Sequence, residues 1–236
     1  KSPLTSLLES KGAKIYYGQR ASNISDSVQV VVYTAAIHPD NPEFACAKEK
    51  GIPMLTRAQL LGQIMRNYDT PIAVSGTHGK TTTTSMCAHI AMAAGTDPTI
   101  MIGGNLPLLG AGYRVGNGDT IILESCEYCN SFLSFFPTVA VILNVDADHL
   151  DFFKDLEDVE HSFRRFAELV PADTGVVVAD RDDQNTMETL AGLERPLITF
   201  GLEEGDVHAA GLTWEKGLPT FDVVCRGEVY AHVSLK

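Results

Sequence analysis

A short segment rich in glycine and threonine has the residue types that bind phosphate groups. Its residues are Gly76, Thr77, His78, Gly79, Lys80, Thr81 and Thr82. Glycines let backbone N–H groups approach an anion, and a helix that begins directly after the loop adds partial positive charge. Lys80 would neutralise the β- and γ-phosphates, and the Thr81 hydroxyl would bind Mg²⁺. The segment therefore predicts a binding site for the phosphates of ATP.

The spacing of this segment differs from the common phosphate-loop motif, which has four residues between its two glycines. Gly76 and Gly79 enclose only two residues, and Val74 stands where a longer loop would have glycine. The alternative interpretation is an ordinary turn between a strand and a helix. Because a run of β-branched threonines is poor material for opening a helix, phosphate binding is favoured.

Two further side chains could bind a metal ion beside the phosphates. Glu124 ends the apolar run 121–123, and His149 follows the apolar run 139–143. If both runs are parallel strands, they end at the same edge of the sheet as the phosphate loop. Because oxygen ligands suit Mg²⁺ and a neutral histidine can support it, Thr81, Glu124 and His149 are the predicted metal site. The histidines outside these motifs are interpreted as structural: His38, His89, His161, His208 and His232.

The elements that must position these residues follow an α/β pattern with a parallel sheet. The first part of the chain has short apolar runs at 13–17 and 28–34, and stretches with a helical pattern follow them at 42–50 and 57–66. The turn-rich stretch 67–71 then indicates a domain boundary. We therefore predict two domains, residues 1–69 and 70–236.

The second predicted domain contains the phosphate loop, between a strand at 72–74 and a helix at 80–94. Further strands are expected at 120–124, 138–144, 176–178 and 197–199. The stretch 155–170 repeats apolar residues at steps of three and four, so it predicts a helix with one face on the sheet. Two runs with period two, at 221–225 and 229–233, predict a small antiparallel appendix.

The composition limits the possible partners. The 236 residues include 18 Lys and Arg against 30 Asp and Glu, a net charge of -12, which disfavours nucleic acid and anionic membranes. No apolar run reaches the roughly 18 to 20 residues that a membrane span needs. The first residues also lack the pattern of a signal peptide. We expect a cytoplasmic protein without membrane insertion.

Five cysteines are scattered along the chain, which suits a reducing compartment. Cys126 and Cys129 form a Cys-x-x-Cys pair, but a zinc site would need a second pair of soft ligands at matching spacing. A redox pair is the alternative. We expect unpaired thiols near the site.

Several motifs together resemble the Mur ligase family. The resemblance rests on the short loop with His78, on Glu124 followed by Ser131-Phe132-Leu133, and on Asn144-x-x-x-Asp148-His149-x-Asp151. Upstream, Ala36-Ile37, Asp40-Asn41-Pro42-Glu43 and Arg57-Ala58 also match. The short loop is typical of this family. A histidine at position 78 is typical of the alanine-adding member and of a related recycling ligase.

The resemblance implies three domains: an N-terminal Rossmann-like domain that binds a UDP-sugar, a central ATPase domain of the P-loop type, and a C-terminal domain. Residues 1–69 would be the first domain, truncated at its start. Residues 70–236 would be the central domain, with a mostly parallel sheet and the antiparallel appendix. The C-terminal domain is expected to be absent.

The resemblance also implies an activity in peptidoglycan synthesis. ATP would phosphorylate the carboxylate of UDP-N-acetylmuramate, and the amine of L-alanine would displace phosphate from the acyl phosphate. Lys80 would hold the phosphates, Thr81 and Glu124 would bind Mg²⁺, His149 would support a second Mg²⁺, and Asn105 would contact substrate or nucleotide. A homodimer is compatible with this implication. This stretch of chain is expected to bind Mg-ATP weakly without ligase activity.

Two departures from the family pattern affect the site. Cys126 and Cys129 stand where many members have aspartate, and Arg164 lies where several sister ligases have a carbamylated lysine, so that modification is not expected. Four alternatives remain: a murein peptide recycling ligase, a folylpolyglutamate synthase, a P-loop kinase or NTPase of another class, and a module that only binds its ligand.

Overall fold

The computed structural model describes residues 2–34 and 36–235. The outer ends of the predicted domains, Lys1 and Lys236, lie outside these residues. The contacts divide the chain into two compact units, a first unit of residues 1–60 and a second unit of residues 61–236.

The first unit has a small parallel sheet with helices in the connections, as the α/β pattern predicts. Its elements are α1 (Pro3–Ser10), β1 (Val31–Tyr33), α2 (Pro42–Glu49) and β2 (Met54–Thr56), with a 3-10 helix at Ala21–Asn23. β1 and β2 pair in parallel, with Val31 opposite Met54. α2 begins where predicted, because the Asn41 side chain accepts the N–H groups of residues 43 and 44. α3 (Arg57–Met65) follows β2.

Two details of the first unit differ from the prediction. The apolar run 13–17 forms no strand, and its residues are exposed except the half-buried Ile15. A strand needs a hydrogen-bonded neighbour as well as apolar residues, and this run pairs with neither β1 nor β2. The strand β2, in contrast, was not predicted, since three residues are too few to show a period.

The second unit is built on one sheet of ten strands. In chain order these are β3 (Thr70–Ser75), β4 (Thr99–Leu106), β5 (Ala111–Arg114), β6 (Thr120–Glu124), β7 (Val139–Ile142), β8 (Val176–Asp180), β9 (Leu197–Gly201), β10 (Val207–Glu215), β11 (Leu218–Cys225) and β12 (Glu228–Ser234). In space the order is β12-β11-β10-β9-β8-β7-β3-β6-β4-β5. The strands from β4 to β10 in this order pair in parallel, whereas β5, β11 and β12 pair antiparallel to their neighbours. The fold is therefore mixed α/β with a mostly parallel sheet.

Three helices of the second unit connect strands of this sheet: α4 (Lys80–Ala93), α5 (Leu156–Glu168) and α6 (Gln184–Thr189). α5 buries Val159, Phe163 and Phe166, as its apolar spacing predicts. The ring of Phe132 stacks on Phe166 with centroids 4.6 Å apart. Each fully buried aromatic side chain stabilises the fold by about 1.5–3 kcal/mol, so α5 is fixed against the 3-10 helix Tyr128–Ser134.

The antiparallel parts of this sheet are larger than predicted. β10 precedes the two expected strands of the appendix, and the hairpin of β4 and β5 lies at the opposite edge. Both β4 and β10 contain glycine, at 103, 104 and 211, which interrupts the alternation that identifies a strand. No helix in the part of the chain that the structure describes has the length and apolar character to cross a bilayer.

Candidate functional site

The loop between β3 and α4 has a backbone that requires glycine at two positions. Gly76 has φ +145°, and a Cβ there would lie 2.8 Å from the Leu143 Cβ. Gly79 has φ +82° and is the N-cap of α4, where no side chain caps the helix. The first N–H groups of a helix have no acceptor within the helix. The N-terminus of α4 is therefore left open for an anion.

The first half of the loop is held against the residues that follow β7. The Thr77 N–H donates to the Asn144 carbonyl oxygen over 3.0 Å, and the His78 N–H donates to Asn144 Oδ1 over 2.7 Å. The Asp146 N–H donates to Thr77 Oγ1 over 2.9 Å. The carboxyl ends of β3 and β7 are thus joined directly, as expected for neighbouring parallel strands.

Lys80 forms a buried ion pair with Glu127, a residue that the sequence did not predict. Lys80 Nζ lies 3.1 Å and 3.0 Å from the two carboxylate oxygens of Glu127. It also donates to the carbonyl oxygens of Gly76, over 2.6 Å, and Thr77, over 3.0 Å. The side chain of Glu127 is 2% exposed and that of Lys80 is 14% exposed. The ammonium group is therefore fixed under the loop.

Thr81 and Glu124 meet at the ends of neighbouring elements, as predicted. The Thr81 hydroxyl donates to Glu124 Oε1 over 3.0 Å, and the Gly103 N–H of β4 donates to Glu124 Oε2 over 2.7 Å. Asn105 lies two residues further along β4 and is exposed. The pairing of β4 with β5 is irregular between Met101 and Leu106, so strand alternation does not assign Asn105 to a face.

His149 lies beside Glu127. Its Nε2 is 3.8 Å from Glu127 Oε1, and its backbone has φ +52°. The ring of Tyr128 packs on it with centroids 4.9 Å apart. The Tyr128 hydroxyl donates to Asp151 Oδ2 over 2.9 Å, and this carboxylate raises the pKa of Tyr128.

The predicted metal residues therefore form two groups: Thr81 with Glu124, and His149 with Glu127. Among the described residues, no three His, Cys, Asp or Glu side chains are close enough to hold a metal ion by themselves. Glu127 lies three residues past the end of β6 and was not part of any motif singled out in the sequence. Its place just past the carboxyl end of a strand was the available signal for it.

Other residues singled out in the sequence lie outside these groups. Thr82 is exposed on the first turn of α4. Arg164 binds the carbonyl oxygens of residues 189, 191 and 192 and pairs with Glu168, so it fixes the end of α6. All five cysteines are free thiols, and Cys126 and Cys129 are exposed. Although the residue as a whole is exposed, partial burial of its thiol within the turn raises the pKa of Cys126.

An apolar cavity of about 310 Å³ lies between β9, β10 and β11, lined by Phe200, Trp214 and Phe221 among others. It shares no residue with the loop, with Glu124 or with His149. The lining of the cavity contains no Asp, Glu, Lys or Arg side chain. The loop, which has such side chains around it, is therefore the candidate site for the chemistry.

Two family models match the chain. The Mur ligase middle domain matches residues 74–235, and the Mur ligase family catalytic domain matches residues 1–69. The UDP-N-acetylmuramate--L-alanine ligase of Clostridium perfringens is 47% identical over 236 residues, which is 100% of this chain and 51% of that protein. The protein of the same name from Agathobacter rectalis is 50% identical over 94% of this chain and 51% of its own length. The chain thus spans about half the length of these curated relatives.

Solved structures with similar folds have related names. UDP-N-acetylmuramate-alanine ligase MurC from Thermotoga maritima has a TM-score of 0.79 and 27% identity, covering 98% of this chain and 52% of that chain. UDP-N-acetylmuramate:L-alanyl-gamma-D-glutamyl-meso-diaminopimelate ligase from Neisseria meningitides has a TM-score of 0.86 and 26% identity, covering 99% and 76% respectively. The match of the middle-domain model over most of the chain, together with these likenesses, shows that the chain belongs to the Mur ligase family.

Proposed function

We propose that this chain is the nucleotide-binding part of an ATP-dependent ligase that joins L-alanine to the carboxylate of UDP-N-acetylmuramate in peptidoglycan synthesis. Residues 70–236 would bind ATP, and residues 1–69 would belong to the domain that binds the UDP-sugar. The protein would act in the cytoplasm. The observation that supports this most directly is the meeting of Lys80, the open N-terminus of α4 and the Thr81–Glu124 pair at one edge of the sheet.

The phosphate loop supplies the charge that ATP requires. The uncapped first turn of α4 offers N–H groups and the positive end of the helix dipole to a phosphate. Lys80 lies at the same end of the helix and is bound by two carbonyl oxygens and Glu127. Because the ammonium is already desolvated and oriented, it loses little freedom when a phosphate group replaces one of these acceptors.

The residues beside the loop fit Mg²⁺. A hydroxyl and a carboxylate are hard oxygen ligands, and Mg²⁺ in nucleotide sites is bound by one or two carboxylates together with water and phosphates. Thr81 and Glu124 would hold the ion, and Glu127 with His149 would form a second position. This composition also accounts for the lack of a complete protein cage among the described residues. Bound Mg²⁺ would neutralise charge that develops on the transferred phosphoryl group.

The choice of amide formation over other phosphoryl transfers comes from the relatives. The two curated relatives described above carry the name UDP-N-acetylmuramate--L-alanine ligase, at 47% and 50% identity. A carboxylate is a poor acyl donor to an amine, and phosphorylation by ATP removes this obstacle. Lys80 and the α4 N-terminus would stabilise the charge of the phosphoryl group as it moves to the carboxylate.

Nucleotide binding can be tested on this chain by calorimetric titration with Mg-ATP. Lys80→Met should lower the affinity at least about tenfold, which corresponds to about 1.4 kcal/mol. Lys154→Met is the matched control, because Lys154 is 87% exposed and is not part of the loop. Equal affinity of the Lys80→Met variant and the unsubstituted chain would refute the site.

A second variant tests the pairing of Thr81 with Glu124. A Cβ at Gly103 would lie 2.6 Å from Glu124 Oε1, so Gly103→Ala should displace that carboxylate. The affinity for ATP should then depend less on Mg²⁺, while circular dichroism stays that of the unsubstituted chain. An unchanged dependence on Mg²⁺ would exclude Glu124 as a ligand.

The ligase reaction must be tested on the protein of which this chain is a part. Phosphate release from ATP with UDP-N-acetylmuramate should be fastest with L-alanine in a panel that includes glycine, L-serine and L-alanyl-γ-D-glutamyl-meso-diaminopimelate. Faster release with the tripeptide would instead assign the recycling activity. Release without any amine acceptor would favour an NTPase.

A further inference from the structure

The turn that carries Glu127 also holds two thiols for which the proposed function has no use. Cys126 and Cys129 are free and exposed, and they lie on either side of Glu127 and Tyr128. The other three cysteines lie on separate elements, at position 46 on α2, position 87 on α4 and position 225 on β11. Only the first two are therefore neighbours in sequence.

The backbone brings these two cysteines to the separation that a disulfide needs. Glu127 has helical dihedral angles, φ -73° and ψ -25°, and the non-helical residues of the following 3-10 helix begin only at Cys129. Cys126 and Cys129 are thus the first and fourth residues of a helical turn, whose Cα atoms lie within about 7 Å. Disulfides span Cα separations of about 4.4–6.8 Å. The turn therefore needs little adjustment for the two sulfurs to meet.

The two thiols have different surroundings. The thiol of Cys126 is partly buried within the turn. The thiol of Cys129 lies near the Tyr128 hydroxyl, so it must rotate about its Cα–Cβ bond to reach Cys126. The Asn130 N–H donates to the Glu127 carbonyl oxygen over 2.8 Å and keeps the turn closed.

We propose that Cys126 and Cys129 are an oxidation site that forms a reversible disulfide within this turn, with a small disulfide such as oxidised glutathione as the oxidant. One cysteine sulfur attacks oxidised glutathione, loses its proton to solvent and releases one glutathione. The second cysteine sulfur then attacks the mixed disulfide and releases the other glutathione. Two S–H bonds are lost, one Sγ–Sγ bond forms, and the oxidant is reduced to two molecules of glutathione.

The disulfide would close a small ring around the residue that binds Lys80. Glu127 lies inside the ring, and Cys129 would leave its contact with the Tyr128 hydroxyl, which binds Asp151 beside His149. In reducing cytosol such bonds are transient and serve as sensors more often than as structural staples. Formation of this bond does not depend on the function proposed above.

The test is incubation of the intact 236-residue chain with oxidised glutathione, followed by proteolysis and mass spectrometry of the peptide that contains both cysteines. The expected product lacks two hydrogen atoms, carries no glutathione and returns to the original mass with dithiothreitol. Cys126→Ser and Cys129→Ser should each retain a glutathione adduct on the remaining thiol. Cys46→Ser is the control that should not affect the bond.

Two results would overturn the proposal. In one, both cysteines of the unsubstituted chain keep their glutathione adducts, as the remaining cysteine does in each single variant, and no disulfide forms between them. In the other, either cysteine pairs with position 46, 87 or 225 instead. Because the decisive measurement uses the unsubstituted chain, it does not depend on whether the variants fold.

Discussion

Replacing Lys80 with methionine should destabilise the second unit, because it leaves the Glu127 carboxylate buried without a counter-charge. The side chain of Glu127 is 2% exposed, so water cannot replace the ammonium. Loss of one partner from a buried ion pair costs about 3–5 kcal/mol. We expect Lys80→Met to fall within this range.

The reciprocal variant should cost less. In Glu127→Gln the ammonium keeps its two carbonyl acceptors, at 2.6 Å and 3.0 Å from Gly76 and Thr77, and it is 14% exposed. The expected cost is about 1.5–3 kcal/mol, that of one lost hydrogen bond to a charged group. The double variant has no buried charge, and we expect it to be at least about 2 kcal/mol more stable than the sum of the single effects predicts.

Urea unfolding monitored by tryptophan fluorescence measures these values. Trp214 is the sole tryptophan of the sequence and lies on β10, so the signal reports on the second unit. Lys154→Met is again the control, and its effect should be below about 1 kcal/mol because its ion pair with Asp155 is exposed. If the effects of the two single variants simply add, within about 0.5 kcal/mol, the buried pair is not a coupled unit and the reasoning is wrong.

Three further predictions concern packing, helix capping and pH. Gly62→Ala should cost about 1–3 kcal/mol, because its Cβ would lie 1.9 Å from the Ser134 carbonyl oxygen; an unfolding curve like that of the unsubstituted chain would contradict this contact. The Asp155 side chain accepts the N–H of Asp158 in the first turn of α5. Asp155→Ala should therefore cost about 1 kcal/mol and Asp155→Asn much less. Equal urea unfolding of the two variants would contradict this capping role. The hydrogen bond from the Arg114 guanidinium lowers the pKa of Asp97 to about 2. The ion pair of Asp97 therefore contributes its full stabilisation above a pH of about 3.9, the pKa of Asp in the unfolded chain, and loses it as the pH falls towards 2. Between these pH values the melting temperature of Asp97→Asn should fall less steeply than that of the unsubstituted chain. Equal slopes would argue against the ion pair.

The sequence predicted the helices and strands correctly where the pattern of apolar residues repeats over a sufficient length. The helix α5 repeats buried residues at steps of three and four from Val159 to Ala167, and the parallel strands β3, β6 and β7 are largely apolar runs between polar turns. The run 13–17 looked similar but lacks a neighbouring strand. β4 has strand neighbours on both sides, although glycines obscure its pattern. Sheet membership is decided by partners distant in sequence, which a local pattern does not contain.

The same distinction explains which site residues were found. Thr81 and Glu124 follow from a simple rule, since both stand where an element meets the carboxyl edge of the sheet. Glu127 lies in an irregular turn after β6, and its proposed role depends on its ion pair with Lys80. Two residues that follow it, Cys129 and Asn130, have a left-handed backbone. Neither is glycine, so the local pattern did not predict the path of this turn.

The short spacing of the phosphate loop has a structural reason. A longer loop can enclose a phosphate with its own N–H groups, but here the N–H groups of Thr77 and His78 are bound to Asn144 after β7. That close approach requires Gly76, because any Cβ would collide with Leu143. In the proposed ATP site, the anion would therefore be bound mainly by the N-terminus of α4 and by Lys80. With fewer backbone donors available, the ion pair that orients Lys80 would become the main determinant of binding, and we expect Glu127 to matter as much as the glycines.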